Sequence, residues 1–187
     1  MTEASPVGPG GTAITGGFEE LYRKHYGFVW RSVRRLGVSD PELDDVVQEV
    51  FVVVHRRLHE FEGRSAITTW LFGIAYRTVS DHRRKNAARL RREAEAGSGR
   101  PPTEPDQRLS RRQAVGVLDG LLAELDDEKR EVLVMADIVK MTANEIAEIT
   151  GANPNTVSSR LRAARKTFEE ALARYREREG GELPWMT

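Results

Sequence analysis

Residues 141–168, MTANEIAEITGANPNTVSSRLRAARKTF, decide the reading of the fold. Thr142, with Glu145 three residues on, is the pattern of a capping box that starts a short helix. Ile146, Ala147 and Ile149 give that helix an apolar face, and Gly151 supplies the tight turn of a helix-turn-helix. Asn153 is placed to cap a second helix whose first residue is Pro154, a position where a missing N–H does no harm. On the second helix Val157, Leu161, Ala164 and Phe168 form one narrow apolar stripe. Asn155, Ser158, Ser159, Arg162 and Lys166 fall on the opposite side, and each hydrogen-bonds or carries positive charge. A small apolar back and a front of donors and acceptors near the helix N-terminus are what major-groove readout requires. A plain amphipathic hairpin with a solvated face has the same apolar spacing, and both readings stand at this point.

Outward from that stretch, the chain reads as two small all-α domains on a flexible tether. Helical periodicity runs through 18–92 and returns over 113–178. Between them, 93–112 is nearly devoid of apolar residues and rich in Pro, Gly, Glu and Ser, a linker composition. Residues 1–17, rich in Gly and Pro, read as a disordered leader, and 179–187 as a loose tail. The leader lacks the basic start and apolar run of a secretory signal. No stretch approaches the ~20 apolar residues of a membrane span. The expectation is a cytoplasmic protein without membrane insertion. Zero cysteines among 187 residues remove disulfides, thiolate metal sites and Cys nucleophiles together.

The chain holds 29 Lys+Arg and 29 Asp+Glu, a net charge of zero that argues against indiscriminate coating of nucleic acid. The charges are nevertheless sorted. Residues 40–49 hold five acids and no base, and 76–92 carry a net +6. Residues 119–148 carry −6, and 160–166 carry +4. Each domain thus has an acidic and a basic end.

Over 43–61 the helical period places Leu43, Val46, Val47, Val50, Phe51, Val53, Val54, Leu58 and Phe61 on one side. Asp44, Asp45, Gln48, Glu49, His55, Arg56 and His59 take the other, with Asp40 as N-cap and Pro41 as first helical residue. Val52 projects from the middle of the polar face, either as ordinary surface exposure or as part of a docking face. From Thr68 a further helix turns Leu71, Phe72, Ala75 and Val79 inward, with Thr69, Trp70, Gly73, Tyr76, Arg77, Ser80 and Arg84 outward. Aromatic rings between arginines suit unstacked bases and their phosphates. Equally, Trp70 and Tyr76 can pack under the preceding 61–67 loop. His55 and His59 have metal-compatible i, i+4 spacing, but no third ligand follows at a recognisable spacing, so a solvated pair is the expectation. No nucleophile–base pair, phosphate-cradling loop or paired catalytic carboxylate is visible. Neither an enzyme nor a cofactor is expected.

These residues resemble the extracytoplasmic-function (ECF) sigma factors of bacterial RNA polymerase. DDVVQEVF (44–51) is similar to the core of the family's region two. FEGRSAITTWLFGIAYRTVSDHRRK (61–85) is similar to the stretch that recognises and opens the −10 element. LAELDDEKREVLVMADIVKMTANEIAEITGANPNTVSSRLRAARK (122–166) is similar to region four, which binds the −35 element. The resemblance covers about 18–92 and 113–175, in order, with a short linker and no region three.

The resemblance implies a subunit that directs core polymerase to promoters by −35 and −10 recognition and begins DNA opening. Asp45, Gln48, Glu49 and Val52 would meet the β′ clamp helices, and the β flap would be a second contact. Arg64, Ser65, Thr69, Trp70, Tyr76, Arg77 and Arg84 would engage the −10 element. Asn155, Ser158, Ser159, Arg162 and Lys166 would read or grip the −35 duplex, with Arg160 and Arg165 nearer its phosphates. An anti-sigma factor would mask these faces. Two departures stand out: Trp70 is followed by Leu71 where housekeeping relatives carry a Trp pair, and Arg77 stands where many members have Asn. Without polymerase in the picture, the residues alone also fit a stand-alone helix-turn-helix regulator.

Overall fold

The computed structural model describes residues 17–95 and 113–179, every regular element of which is helical. The expected leader, linker and tail lie outside these residues, save Gly17, 93–95 and Glu179, which belong to helices. The chain divides into two compact helical units, as the sequence led us to expect.

The first unit comprises α1 (Gly17–Arg35) as far as Arg34, α2 (Asp40–Arg57) and α3 (Ile67–Glu95). Its core is the apolar side of α2 (Leu43, Val46, Val47, Val50, Phe51, Val54) against Leu71, Phe72, Ile74, Ala75 and Val79 of α3. α1 joins through rings. Tyr22 and Tyr26 lie 4.6 and 6.1 Å from the Phe51 ring, the second nearly parallel to it, and Phe18 stands edge-on to His55 at 4.8 Å. Such offset and edge geometries add to the area that the rings bury.

Three expectations are corrected here. The cap of α2 is Ser39 rather than Asp40: Ser39 has extended dihedrals, and its hydroxyl donates to the Glu42 carboxylate at 2.7 Å. Asp40 is drawn instead to Arg34, 3.4 Å away, so Pro41 falls one place further in. Second, α2 stops at Arg57 in a 3₁₀ turn, Leu58–Glu60, leaving Leu58 and Phe61 half-buried beyond the helix. Third, Gly73 is buried rather than outward, because α3 is enclosed all round from Leu71 to Ala75.

The second unit comprises α4 (Gln113–Ala123), α5 (Asp127–Leu133), a π-helical turn (Val134–Ile138), α6 (Ala143–Thr150) and α7 (Pro154–Glu179). α5 and α6 pack along α7, where Val157, Ala164 and Ala171 are fully buried; the two alanines let the neighbouring backbones come close. The capping box forms in both directions: Thr142 accepts from the Glu145 N–H at 3.3 Å and Glu145 accepts from the Thr142 N–H at 2.7 Å. Asn153 accepts from the Asn155 N–H at 2.9 Å, so α7 begins where its cap requires. α5 is capped by Asp126, and Arg130 donates to the carbonyls of Leu122 and Leu125 at 2.9 and 2.8 Å, fastening the turn between α4 and α5.

Gly151 turns the chain at φ 71°, with open space around the position a Cβ would take. Gly151→Ala therefore meets backbone strain without a clash. The expected loss is about 1 kcal/mol, read as a lower urea midpoint at unchanged m-value.

Candidate functional site

The first face is the outer side of α2. Five acids lie in its first three turns, and they divide by partner. Asp40 pairs with Arg34. Asp44 accepts from the Trp30 indole N–H at 3.3 Å, and Arg34 also lies over the Trp30 ring. Glu42 bonds Ser39, accepts from Asn86 of α3 at 2.9 Å and lies 3.3 Å from the His82 ring. The Ser39 hydroxyl above all, with Asn86 and His82, holds the Glu42 carboxyl below the usual carboxylate range. These three acids tie α2 to its neighbours. Asp45 and Glu49 are different: both are exposed, and neither has an intramolecular hydrogen bond or ion pair among the described residues. Gln48 and Val52 are exposed on the same surface, Val52 at 49%.

The second face is the 61–66 loop and the adjoining side of α3. The Phe61 ring sits 5.3 Å from that of Trp70, so of the two readings of Trp70 the structure has it packed on the loop. Trp70, Thr69, Tyr76 and Ser65 are half-buried. Gly63 turns the loop at φ 70°, and Arg64 and Glu62 pair across it at 2.8 Å, both well exposed. Arg84 pairs with Asp81 one turn before it. Arg77 is exposed and without an intramolecular partner among the described residues.

The third face is the front of α7. Asn155, Ser158, Ser159, Arg162 and Lys166 are all exposed. Ser158 and Ser159 donate their hydroxyl protons to the carbonyls of Pro154 and Thr156, at 3.0 and 2.9 Å, which turns their lone pairs outward. The Asn155 amide and the Arg162 guanidinium have no intramolecular partner among the described residues. Arg160 and Arg165 are held by acids of the same unit. Glu128 lies 2.9 Å from Arg160, and Asp137 takes Arg165 on both oxygens at 2.7 and 3.0 Å.

His55 is occupied by the Phe18 ring, and among the described residues no group of three His, Asp or Glu side chains is arranged to hold a metal ion. Among those residues no helix is long and apolar enough to cross a membrane.

The acidic helical face and the aromatic loop lie within one known family model, and the helix-turn-helix within a second. The sigma-70 region 2 model matches residues 21–89 and the sigma-70 region 4 model matches 116–168. The RNA polymerase sigma factor YlaC of Bacillus subtilis is 30% identical over 168 residues, covering 86% of this chain and 95% of that protein. CnrH, solved with the cytosolic domain of CnrY, covers 83% of this chain and 87% of its own at 25% identity, with a TM-score of 0.57. The sigma factor RpoE of Bartonella quintana, solved with the anti-sigma factor NepR, shares the fold at a TM-score of 0.67 and 20% identity, over 83% of this chain and 96% of that one. The chain belongs to the sigma-70 family and is an RNA polymerase sigma factor of the ECF type, not a stand-alone regulator. It is a transcription initiation factor.

Two features of the site lay beyond the sequence. The pairing of Trp30 with Asp44 joins residues 14 apart in the chain, and that of Arg165 with Asp137 spans 28. Local charge sorting signals that acids and bases are present, but not which of them neutralise one another.

Proposed function

We propose that the unpaired acids of α2, Asp45 and Glu49, dock this sigma factor on the β′ clamp helices of core polymerase, with Gln48 and Val52 between them. The observation that carries this reading is the division of the acidic face: among the described residues three carboxylates are used internally, and these two are not. An exposed Val among free acids suits a partner helix that is basic with an apolar ridge.

The same reading assigns the −35 duplex to α7 and the β flap to the second unit. Asn155 offers the donor and acceptor pair that fits adenine, Arg162 the fork that fits guanine, and Ser158 and Ser159 outward acceptors. Lys166, Arg160 and Arg165 would grip phosphates. The opened −10 strand falls to Arg64, Ser65, Thr69, Trp70, Tyr76, Arg77 and Arg84. Trp70, backed by Phe61, would support the loop instead of wedging the duplex alone. The protein works in the cytoplasm, performs no covalent chemistry and is held in check by an anti-sigma factor that covers these faces. The complexes of CnrH with CnrY and of RpoE with NepR support that last point. In this reading residues 1–17 are a leader, 93–112 a tether between the two modules and 179–187 a tail.

Arg162→Ala tests the −35 assignment. Run-off transcription with core polymerase should fall by the equivalent of about 1–3 kcal/mol on promoters with the cognate −35 base, and less on its variants. An equal loss on every −35 sequence would make Arg162 a phosphate contact.

A further inference from the structure

The four cations of α7 between 160 and 166 are not equivalent. Among the described residues Arg162 has no partner, Lys166 is 3.9 Å from Glu170 of its own helix, Arg160 meets Glu128 through one oxygen, and Arg165 is gripped by both oxygens of Asp137. The last is the fork geometry with which a guanidinium takes a phosphate. Asp137 is delivered to it by irregular backbone. It lies in the π turn, closed by the Val139 N–H on the Val134 carbonyl at 2.9 Å and followed by Lys140 at φ 67°. The Arg165 guanidinium holds the Asp137 carboxyl below the usual carboxylate range, so the acid stays ionised. Both side chains are open to water, 37% and 53% exposed, and pairs so placed contribute little to stability.

We propose that Asp137 is a specificity-determining residue for DNA binding: its carboxylate occupies Arg165 in the place of a phosphate, so that a duplex must displace it. Glu128 does the same for Arg160 through a weaker, single contact. This rests on the reading that α7 lies on duplex DNA. A phosphate competes with Asp137 on every sequence, but displacement is completed only where the base contacts of Asn155 and Arg162, or attachment to polymerase, hold the helix in register. Arbitrary DNA provides neither. The internal anion therefore lowers affinity for wrong sites more than for right ones.

The test uses the full chain and a labelled 30-base-pair duplex of arbitrary sequence, titrated by fluorescence anisotropy at several salt concentrations. Asp137→Asn should bind tighter, with a log–log salt slope steeper by about 0.9, and so an about threefold larger loss between 50 and 200 mM salt. Asp137→Ser should do the same, with helicity checked by circular dichroism for both. The gain should vanish in the background of Arg165→Ala. Affinity at or below that of the parent overturns the proposal, as does a gain that survives removal of Arg165, which would reduce Asp137 to general repulsion. Lys166→Ala, at a residue assigned to phosphate, reports separately on the underlying reading with the same duplex: an unchanged affinity would mean that α7 does not meet DNA at all.

Discussion

Glu49→Lys should abolish co-elution with core RNA polymerase while leaving helicity and thermal unfolding unchanged. The side chain is exposed and makes no intramolecular bond among the described residues, so the folded chain loses nothing by its reversal. On a basic partner the change removes one attraction and adds one repulsion in a desolvated contact. Truncating one member of such a pair costs about 2–5 kcal/mol, and reversal exceeds truncation. A change of 2 kcal/mol is already about thirtyfold in the dissociation constant. Asp44→Asn is the control, because Asp44 is spent on Trp30. If Glu49→Lys co-elutes undiminished, the clamp helices meet some other face, and the distinction between used and unused acids has no bearing on docking.

The second large effect concerns stability. Phe72 is fully buried in α3, where Leu71, Ile74 and Ala75 are buried beside it. Phe72→Ala should destabilise the first unit by about 3–5 kcal/mol, the lost transfer energy plus the cavity left behind. In a small domain that is a large share of the total stability. Urea denaturation followed by circular dichroism should show the transition of that unit moving to markedly lower urea. Phe72→Leu, which leaves a smaller void, should lie between the two. A loss under about 1 kcal/mol would mean that the neighbours of Phe72 collapse into the gap.

Where structure is set by neighbours in the chain, the residues announced it. Thr142, Glu145, Gly151, Asn153 and Pro154 place the turn and both helix starts, since caps and left-handed turns depend on contacts within four residues. The inward sides of α2 and α7 followed from period alone. The misplacements have tertiary causes. Ser39 and Asp40 are both good caps, and it is Arg34 on α1 that takes Asp40 away. Gly73 read as outward because a helical wheel assumes one covered side, whereas α3 is covered all round at that level. The exposed faces proposed as the site were legible as residue types and helix sides. Their internal economy was not: which acids are free depends on α1 and α3 reaching across to α2, and which arginines are free depends on the π turn.

The Trp30 indole gives the acidic face its own optical label. Its N–H is bonded to Asp44, the neighbour of Asp45, and the Arg34 guanidinium lies 5.5 Å from the ring centroid. The emission of an indole responds to the charges around it, so a basic helix arriving on this face alters the light that Trp30 gives out. In a variant without Trp70 and Trp185, the proposed docking should be timed in a stopped-flow instrument with no dye attached, using a tryptophan-free segment of the clamp helices as the arriving partner.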